Sequence, residues 1–495
     1  MAVWLCAIVL GLSVLLGGGT HAGFLGDVIV QLVSIPLLAV SLWSFANVKE
    51  LSERQWRAIV YFSCAVIAVL VIQLCPLPFD VPSIGGAIMS RAPSLGALGE
   101  GSSWGSVSVT PQATWAGAAS LIVPAAIFFA GLQLNLRHRL ALAWLLLFLG
   151  GLSLLLGFLQ MAQGPGSALR FYDVTNPKEA VGLFANRNHF AAHLYVTLVL
   201  AAAWYATAVR EALKVGALTS RSTLWSTAAA VFFVSVMAGL AMARSRAGVF
   251  LAMIALVGVI VMVLRPQKDR DDGSIRNRLT VGRMSMLAVF FGVLFAAQLG
   301  LGGILSRFEA DPLEDLRVPL AGTTIEAALR SLPFGAGLGS FVPVYGVVEK
   351  ESDIFAGFAN RAHNDLAEIL LETGVFGLIL LAAFLAWFFP RAHNVWLRRK
   401  ASGHDPQLLL QRAATLIIFL LLTHSLVDYP LRTTALSSIF MFFCAVLATN
   451  APNTEDEFIH RRRQRPVAPK PSSRVTPGEK WGGDFHWPDG WQKSL

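Results

Sequence analysis

Charge is scarce in this sequence. Only 14% of its 495 residues are Asp, Glu, Lys or Arg, against about a quarter in ordinary soluble domains. A water-facing shell on a chain of this length needs far more, so one large soluble domain is excluded. Cysteine is also scarce. The four present, Cys6, Cys64, Cys75 and Cys444, lie in apolar stretches or at their ends. They show no metal-type spacing, which excludes a disulfide scaffold and reads as buried small apolar residues. Disorder and collagen-like sequence are excluded by an apolar content of 55%. With a mean hydropathy of +0.61, the class that remains is a polytopic, all-α membrane protein.

A spanning helix needs about 20 apolar residues. Twelve windows qualify: 2–19, 27–47, 58–76, 114–133, 140–160, 189–208, 225–243, 247–264, 284–303, 374–390, 412–428 and 433–450. No Lys or Arg precedes the first, so it reads as a retained helix rather than a cleaved leader. With the N-terminus in the cytoplasm, roughly two thirds of the 39 Lys and Arg residues fall on the cytoplasmic side. The richest inner loop is 265–283, and the basic run Arg461–Arg463 lies in the tail. Both termini are therefore expected in the cytoplasm.

Three outer loops are long: 77–113, 161–188 and 304–373. The first is rich in Gly, Ser and Pro. The third carries helical patterns at Thr324–Leu332 and Ala362–Glu372. Such loops suit chemistry at the outer face rather than a minimal channel. The tail 451–495 is basic and Pro-rich and reads as disordered. Two repeated halves, as in inverted-repeat transporters, are not evident.

The outer face should be poor in arginine, so its arginines carry information. Arg244 and Arg246 flank Ser245 at a tight junction between two spans. Guanidinium forks suit phosphate oxygens bidentately, and charge at such a place suggests a functional site. Arg187 lies in the polar entry Asn186-Arg187-Asn188-His189 to the sixth span. His189 and His193 share a helix face, but a zinc motif would need a third ligand and an acidic helper. Arg361, His363, Asn364 and Asp365 precede the tenth span. On a continuous helix His363 points with Ala367 and Leu370, while Asp365, Glu368 and Glu372 share another face, and Gly374 ends the helix. His424 and Asp428, at i,i+4, are placed to hydrogen-bond each other as a support pair. Arginine and histidine without a thiol nucleophile, P-loop or metal cluster point to an anionic, phosphate-bearing substrate. Its chemistry would need an oriented base and phosphate clamps. No cofactor and no metal are expected.

These residues carry a resemblance. His363-Asn364, nine residues, Gly374, two residues and Gly377 is similar to the outer-loop signature of the O-antigen ligase and polysaccharide polymerase superfamily. Ser245-Arg246-Ala247-Gly248 resembles its Ser-Arg-small turn. Pro333-Phe334-Gly335-Ala336-Gly337-Leu338-Gly339 resembles its Pro-x-Gly-x-Gly-x-Gly stretch, and Gly182–Asn188 its polar span entry. All four occur in the family's order, and roughly residues 180–390 are covered. The first 180 match mainly in topology.

The resemblance implies a bundle of about 12 transmembrane helices, like the C-type glycosyltransferases of the bacterial inner membrane. It divides into N-terminal helices (1–180), a ligase-like core (181–390) with the large periplasmic loop 304–373, C-terminal helices (391–450) and the tail (451–495). It implies an inverting, metal-independent enzyme taking glycan from an undecaprenyl-diphosphate carrier. Lipid A–core, a second lipid-linked glycan or a protein hydroxyl would accept it. No nucleic acid is expected as a partner. By the same resemblance His363 is the base and Arg246 the diphosphate clamp. Arg187 is a second clamp, Arg244 duplicates the charge near Arg246, and Arg361, Asn188 and Asn364 are further binding candidates. Asp365, His424 and Asp428 are support candidates. The competing class is a carrier or flippase of lipid-linked or anionic solutes. That class wants its polar site at the midplane, whereas the polar residues here gather at outer helix ends.

Overall fold

The structure, a computed structural model, describes residues 2–20, 23–48, 51–78, 104–214, 220–264, 317–351, 359–398 and 405–449. The expected span 284–303, the basic loop 265–283, residues 304–316 and the tail 451–495 lie outside them.

The described chain is helical. Its first third holds α1 (Ala2–Leu16), α2 (Leu25–Phe45), α3 (Glu53–Leu74), α4 (Pro111–Ser120), α5 (Ile122–Gln133) and α6 (Leu136–Gln163). Then come α7 (Arg187–Lys214), α8 (Ser220–Ala243), α9 (Arg246–Leu264), α10 (Arg317–Arg330) and α11 (Phe341–Val348). The last are α12 (Asp365–Leu397), α13 (Pro406–His424), a 3-10 turn at Pro430–Arg432 and α14 (Thr434–Ala448). Seven helical stretches are long and apolar enough to cross a membrane, and four shorter apolar helices accompany them. The protein is a polytopic membrane protein.

Boundaries differ from expectation where local chemistry intervenes. The expected span 114–133 is two helices, α4 and α5, meeting at Leu121. The expected span 412–428 starts six residues sooner, because Asp405 caps the amides of Gln407 and Leu408 and Pro406 occupies the first turn. It stops at His424, so Asp428 lies beyond the helix. The loop expected at 77–113 begins and ends in a small antiparallel ladder, β1 (Pro76–Pro78) against β2 (Trp104–Ser106), with Leu77 opposite Gly105. Cys64 and Cys75 are exposed rather than buried, unlike Cys6 and Cys444.

Helix α7 is the centre of the bundle. It packs against α6, α8, α9, α13 and α14, and 78% of its most apolar stretch is buried, against 11% for α3. A helix surrounded by other helices can carry polar groups, as α7 does with buried Asn188, His189 and His193, whereas one facing lipid must be apolar. A second, smaller core lies in the 317–371 region, where Leu320, Ala327 and Ala328 of α10 meet Phe341, Val344 and Tyr345 of α11 and Leu371 of α12.

Candidate functional site

Helix α12 begins where its sequence supplies a cap. The Asn364 side chain accepts the Ala367 amide at 3.1 Å, and Asp365 and Glu368 occupy the first turn, where the helix dipole favours carboxylates. His363 therefore precedes the helix and does not share a face with Ala367 and Leu370. Its φ of +51° is left-handed, a conformation that costs a non-glycine residue about 1–3 kcal/mol.

The turn after α13 comes to meet it. Asn364 Nδ2 donates to the Leu426 carbonyl at 3.0 Å, and the Asp365 amide donates to the Ser425 carbonyl at 2.8 Å. This brings Asp428 Oδ1 to 3.1 Å from His363 Nδ1. The same carboxylate accepts the Tyr429 amide at 3.0 Å and Asn188 Nδ2, from the start of α7, at 2.5 Å. Burial alone would raise the Asp428 carboxyl. The hydrogen bond from His363 and the positive groups around it outweigh burial and hold it well below the usual carboxylate range. An ionised carboxylate only accepts, so Nδ1 of His363 carries a proton, and in the neutral ring the lone pair is on Nε2. Asp428 is fully buried, while the His363 side chain remains 23% exposed.

The expected His424–Asp428 side-chain pair does not form. His424 Nδ1 instead meets the Tyr195 hydroxyl of α7 at 3.1 Å. Only the backbone links the two, the Asp428 amide donating to the His424 carbonyl at 2.9 Å. Nor do Asp365 or Glu368 reach His363. With Glu372 they line one buried face of α12, as their spacing predicts, and surround arginines. Arg432 Nε donates to Asp365 at 3.2 Å and its Nη1 to Glu372 at 2.6 Å, with Glu368 at 3.5 Å. Arg361 Nη1 donates to Glu368 at 2.7 Å. Burial would lower the Arg432 guanidinium, but Glu368, Glu372 and Asp365 together raise it and fix its charge.

At its other end this acidic stretch breaks. Gly374 adopts φ +60°, ψ −146° between two helical runs of α12. A Cβ there would lie 2.1 Å from the Pro333 carbonyl oxygen, so no other residue fits. The break leaves carbonyls without helical partners, and the glycine-rich stretch supplies them. The amides of Ala336 and Gly337 donate to the carbonyls of Leu371 and Glu372 at 2.8 and 3.0 Å, and Val375 donates to Pro333 at 2.9 Å. Buried Gln73 of α3 fastens both sides. Its Nε2 donates to the carbonyls of Glu372 at 2.7 Å and Phe334 at 3.1 Å, and its Oε1 accepts the Leu338 amide at 3.0 Å.

The remaining arginines sit at the starts of α7 and α9. Arg244 turns the chain between α8 and α9 with φ +47°, and buried Ser245 caps α9 by accepting the Gly248 amide at 3.0 Å. A Cβ on Gly248 would stand 2.5 Å from that of Ala191. The first turns of α7 and α9 therefore touch backbone to backbone, bringing Arg246 to the end of the bundle that holds Asn188. Arg187 is nearly buried and pairs with Glu179 at 3.6 Å. His189 and His193 are buried and diverge: the first ring packs edge-to-face with Tyr429, the second with Phe184. Among the described residues, no three His, Cys, Asp or Glu side chains gather in a metal-binding arrangement.

Residues 230–382 match the family model described as O-Antigen ligase. The chain is similar to that family over this segment. No curated protein matches the chain. The matched segment contains Arg244, Arg246, Arg361, His363, Asn364 and Asp365, but the partners that place them lie outside it. Asn188 comes from α7, Gln73 from α3, and Asp428, Tyr429 and Arg432 from the turn after α13. Tyr195, Glu179, Gln73, Tyr429 and Arg432 carry no motif of their own. Of these only Arg432 left a trace in sequence, as one more arginine on the arginine-poor side.

Proposed function

We propose that this protein is a glycosyltransferase of the inner membrane, working at the periplasmic face. It moves glycan from undecaprenyl diphosphate to an acceptor hydroxyl, as an O-antigen ligase or a repeat-unit polymerase does. The observation that carries this reading is the His363–Asp428 pair: a partly exposed imidazole held through Nδ1 by a buried carboxylate, with His363 inside the segment similar to O-antigen ligases.

In this reading His363 Nε2 takes the proton of the acceptor hydroxyl, and that oxygen attacks the anomeric carbon. The bond from that carbon to the diphosphate oxygen breaks, and undecaprenyl diphosphate leaves with the electron pair. Asp428 keeps the base in the required tautomer and stabilises the imidazolium, the role a buried carboxylate plays beside histidine in other enzymes. Arg246 neutralises the developing diphosphate charge. Arg187 and Arg361 already face Glu179 and Glu368, and so contribute by shaping the pocket. A single displacement inverts the anomeric centre.

The test is transfer by purified protein from a lipid-linked donor. His363→Ala should still bind donor but not transfer, and the wild-type product should be inverted. Retention of configuration would require a covalent intermediate and would defeat the base-only mechanism even if the variant were inactive.

A further inference from the structure

His363 is not held by helical backbone, so something else must fix its ring. Asp428 fixes one nitrogen. The flat side of the problem falls to Tyr429, whose ring centroid lies 5.0 Å from that of His363 at an interplanar angle of 66°. Edge-to-face contacts of this kind are directional.

Tyr429 is itself immobilised. It is 2% exposed. The imidazole of His189, from α7, packs against it at 4.8 Å and 85°. Its hydroxyl accepts a hydrogen bond from Asn360 Nδ2 at 3.3 Å. Its backbone amide donates to Asp428 Oδ1, the oxygen that also meets His363 Nδ1. One residue thus touches both members of the pair, the ring of one and the carboxylate of the other, while burial keeps it off any substrate.

We propose that Tyr429 is a positioning residue for transfer: its ring sets the orientation in which His363 presents Nε2 to the acceptor. This rests on the reading of His363 as the base. The ring carries the effect, because the hydroxyl only anchors it, to Asn360 and Asn186.

The experiment uses the full-length protein in detergent, with a lipid-linked glycan donor and a sugar acceptor. Tyr429→Leu, Tyr429→Phe and His363→Ala are compared with Tyr429→Leu/His363→Ala, each normalised to folded protein. A misaligned base loses about 10- to 100-fold in rate. Tyr429→Leu should therefore lower kcat by that factor, with KM for both substrates within about twofold. Tyr429→Phe should stay within about threefold of wild type. Adding Tyr429→Leu to His363→Ala should cause no further loss, since residues acting as a unit are non-additive. If Tyr429→Leu is not recovered folded, Tyr429→Met takes its place. The proposal is overturned if kcat survives the loss of the ring, or if Phe is as impaired as Leu. It is equally overturned if the residual rate of His363→Ala falls by the same further factor, which would mark a general packing role. A fully active His363→Ala would instead remove the base itself and the proposal with it, an outcome separate from the others.

Discussion

Two groups of arginines occupy the same end of the bundle, and they do different things. Arg361 and Arg432 are set among Asp365, Glu368 and Glu372, three carboxylates on one buried face of α12. Arg244 and Arg246 stand at a helix junction made by close packing of Gly248 on Ala191. The first group is consumed by the protein's own charge. It holds the His363 segment against the turn that carries Asp428. The second belongs to a junction whose tightness comes from the small residues Gly248 and Ala191. An arginine on the arginine-poor side of a membrane protein is thus not one signal but two, and its neighbours decide which.

The sharpest way to break this contrast is through His363, the proposed base. His363→Ala should lower the transfer rate by about 10²–10⁴-fold with donor binding intact, as read by single-turnover transfer and donor titration. Next comes Arg246→Ala, expected to cost about 10²–10³-fold without loss of folded protein. Arg246→Lys should recover only part of this, because an ammonium lacks the bidentate fork. Wild-type transfer by Arg246→Ala would shift the clamp to Arg244. Arg432→Ala should show the opposite profile. Removing one partner from a buried charge cluster costs about 3–5 kcal/mol, so thermal unfolding in detergent should register a large loss. If Arg432→Ala unfolded like wild type yet lost transfer, the two groups would not differ as described.

The smallest effect concerns pH. Asp428 is held below the usual carboxylate range when folded. A depressed carboxylate contributes stability that is fully present above its unfolded pKa, about 3.9, and is lost as pH falls through the folded value. Its contribution should stay flat from about pH 8 to about pH 5. Comparing the unfolding temperatures of His363→Ala and His363→Ala/Asp428→Asn across that interval checks this without the facing imidazole, since histidines ionise in that range: the difference between them should not change.

Much of this was legible in the sequence, and the rest was hidden for identifiable reasons. Apolar runs marked the helices, because lipid demands them. The clustering of Asp365, Glu368 and Glu372 followed from helical spacing alone. What those carboxylates bind did not, since Arg432 is sixty residues from Glu372. The pairing of His424 with Asp428 failed because the helix stops at His424, so i,i+4 geometry no longer applies, and Tyr195 claims the imidazole. His363 was visible through its motif, yet its placement before the helix depends on the cap made by Asn364. Its true partner, Asp428, was named only as support. Sequence spacing reads contacts within one element well, and the site is made of contacts between elements.

The three hydrogen bonds of Gln73 bear on interchangeability. The matched segment 230–382 has the look of a cassette, yet the carbonyl of its Glu372 and the amide of its Leu338 are satisfied from α3. A chimera exchanging the segment alone would inherit a foreign α3 and lose that clasp, unless glutamine recurs at the matching depth. Portability between related proteins therefore depends in part on a single amide in α3, a helix that is otherwise mostly exposed in the bundle.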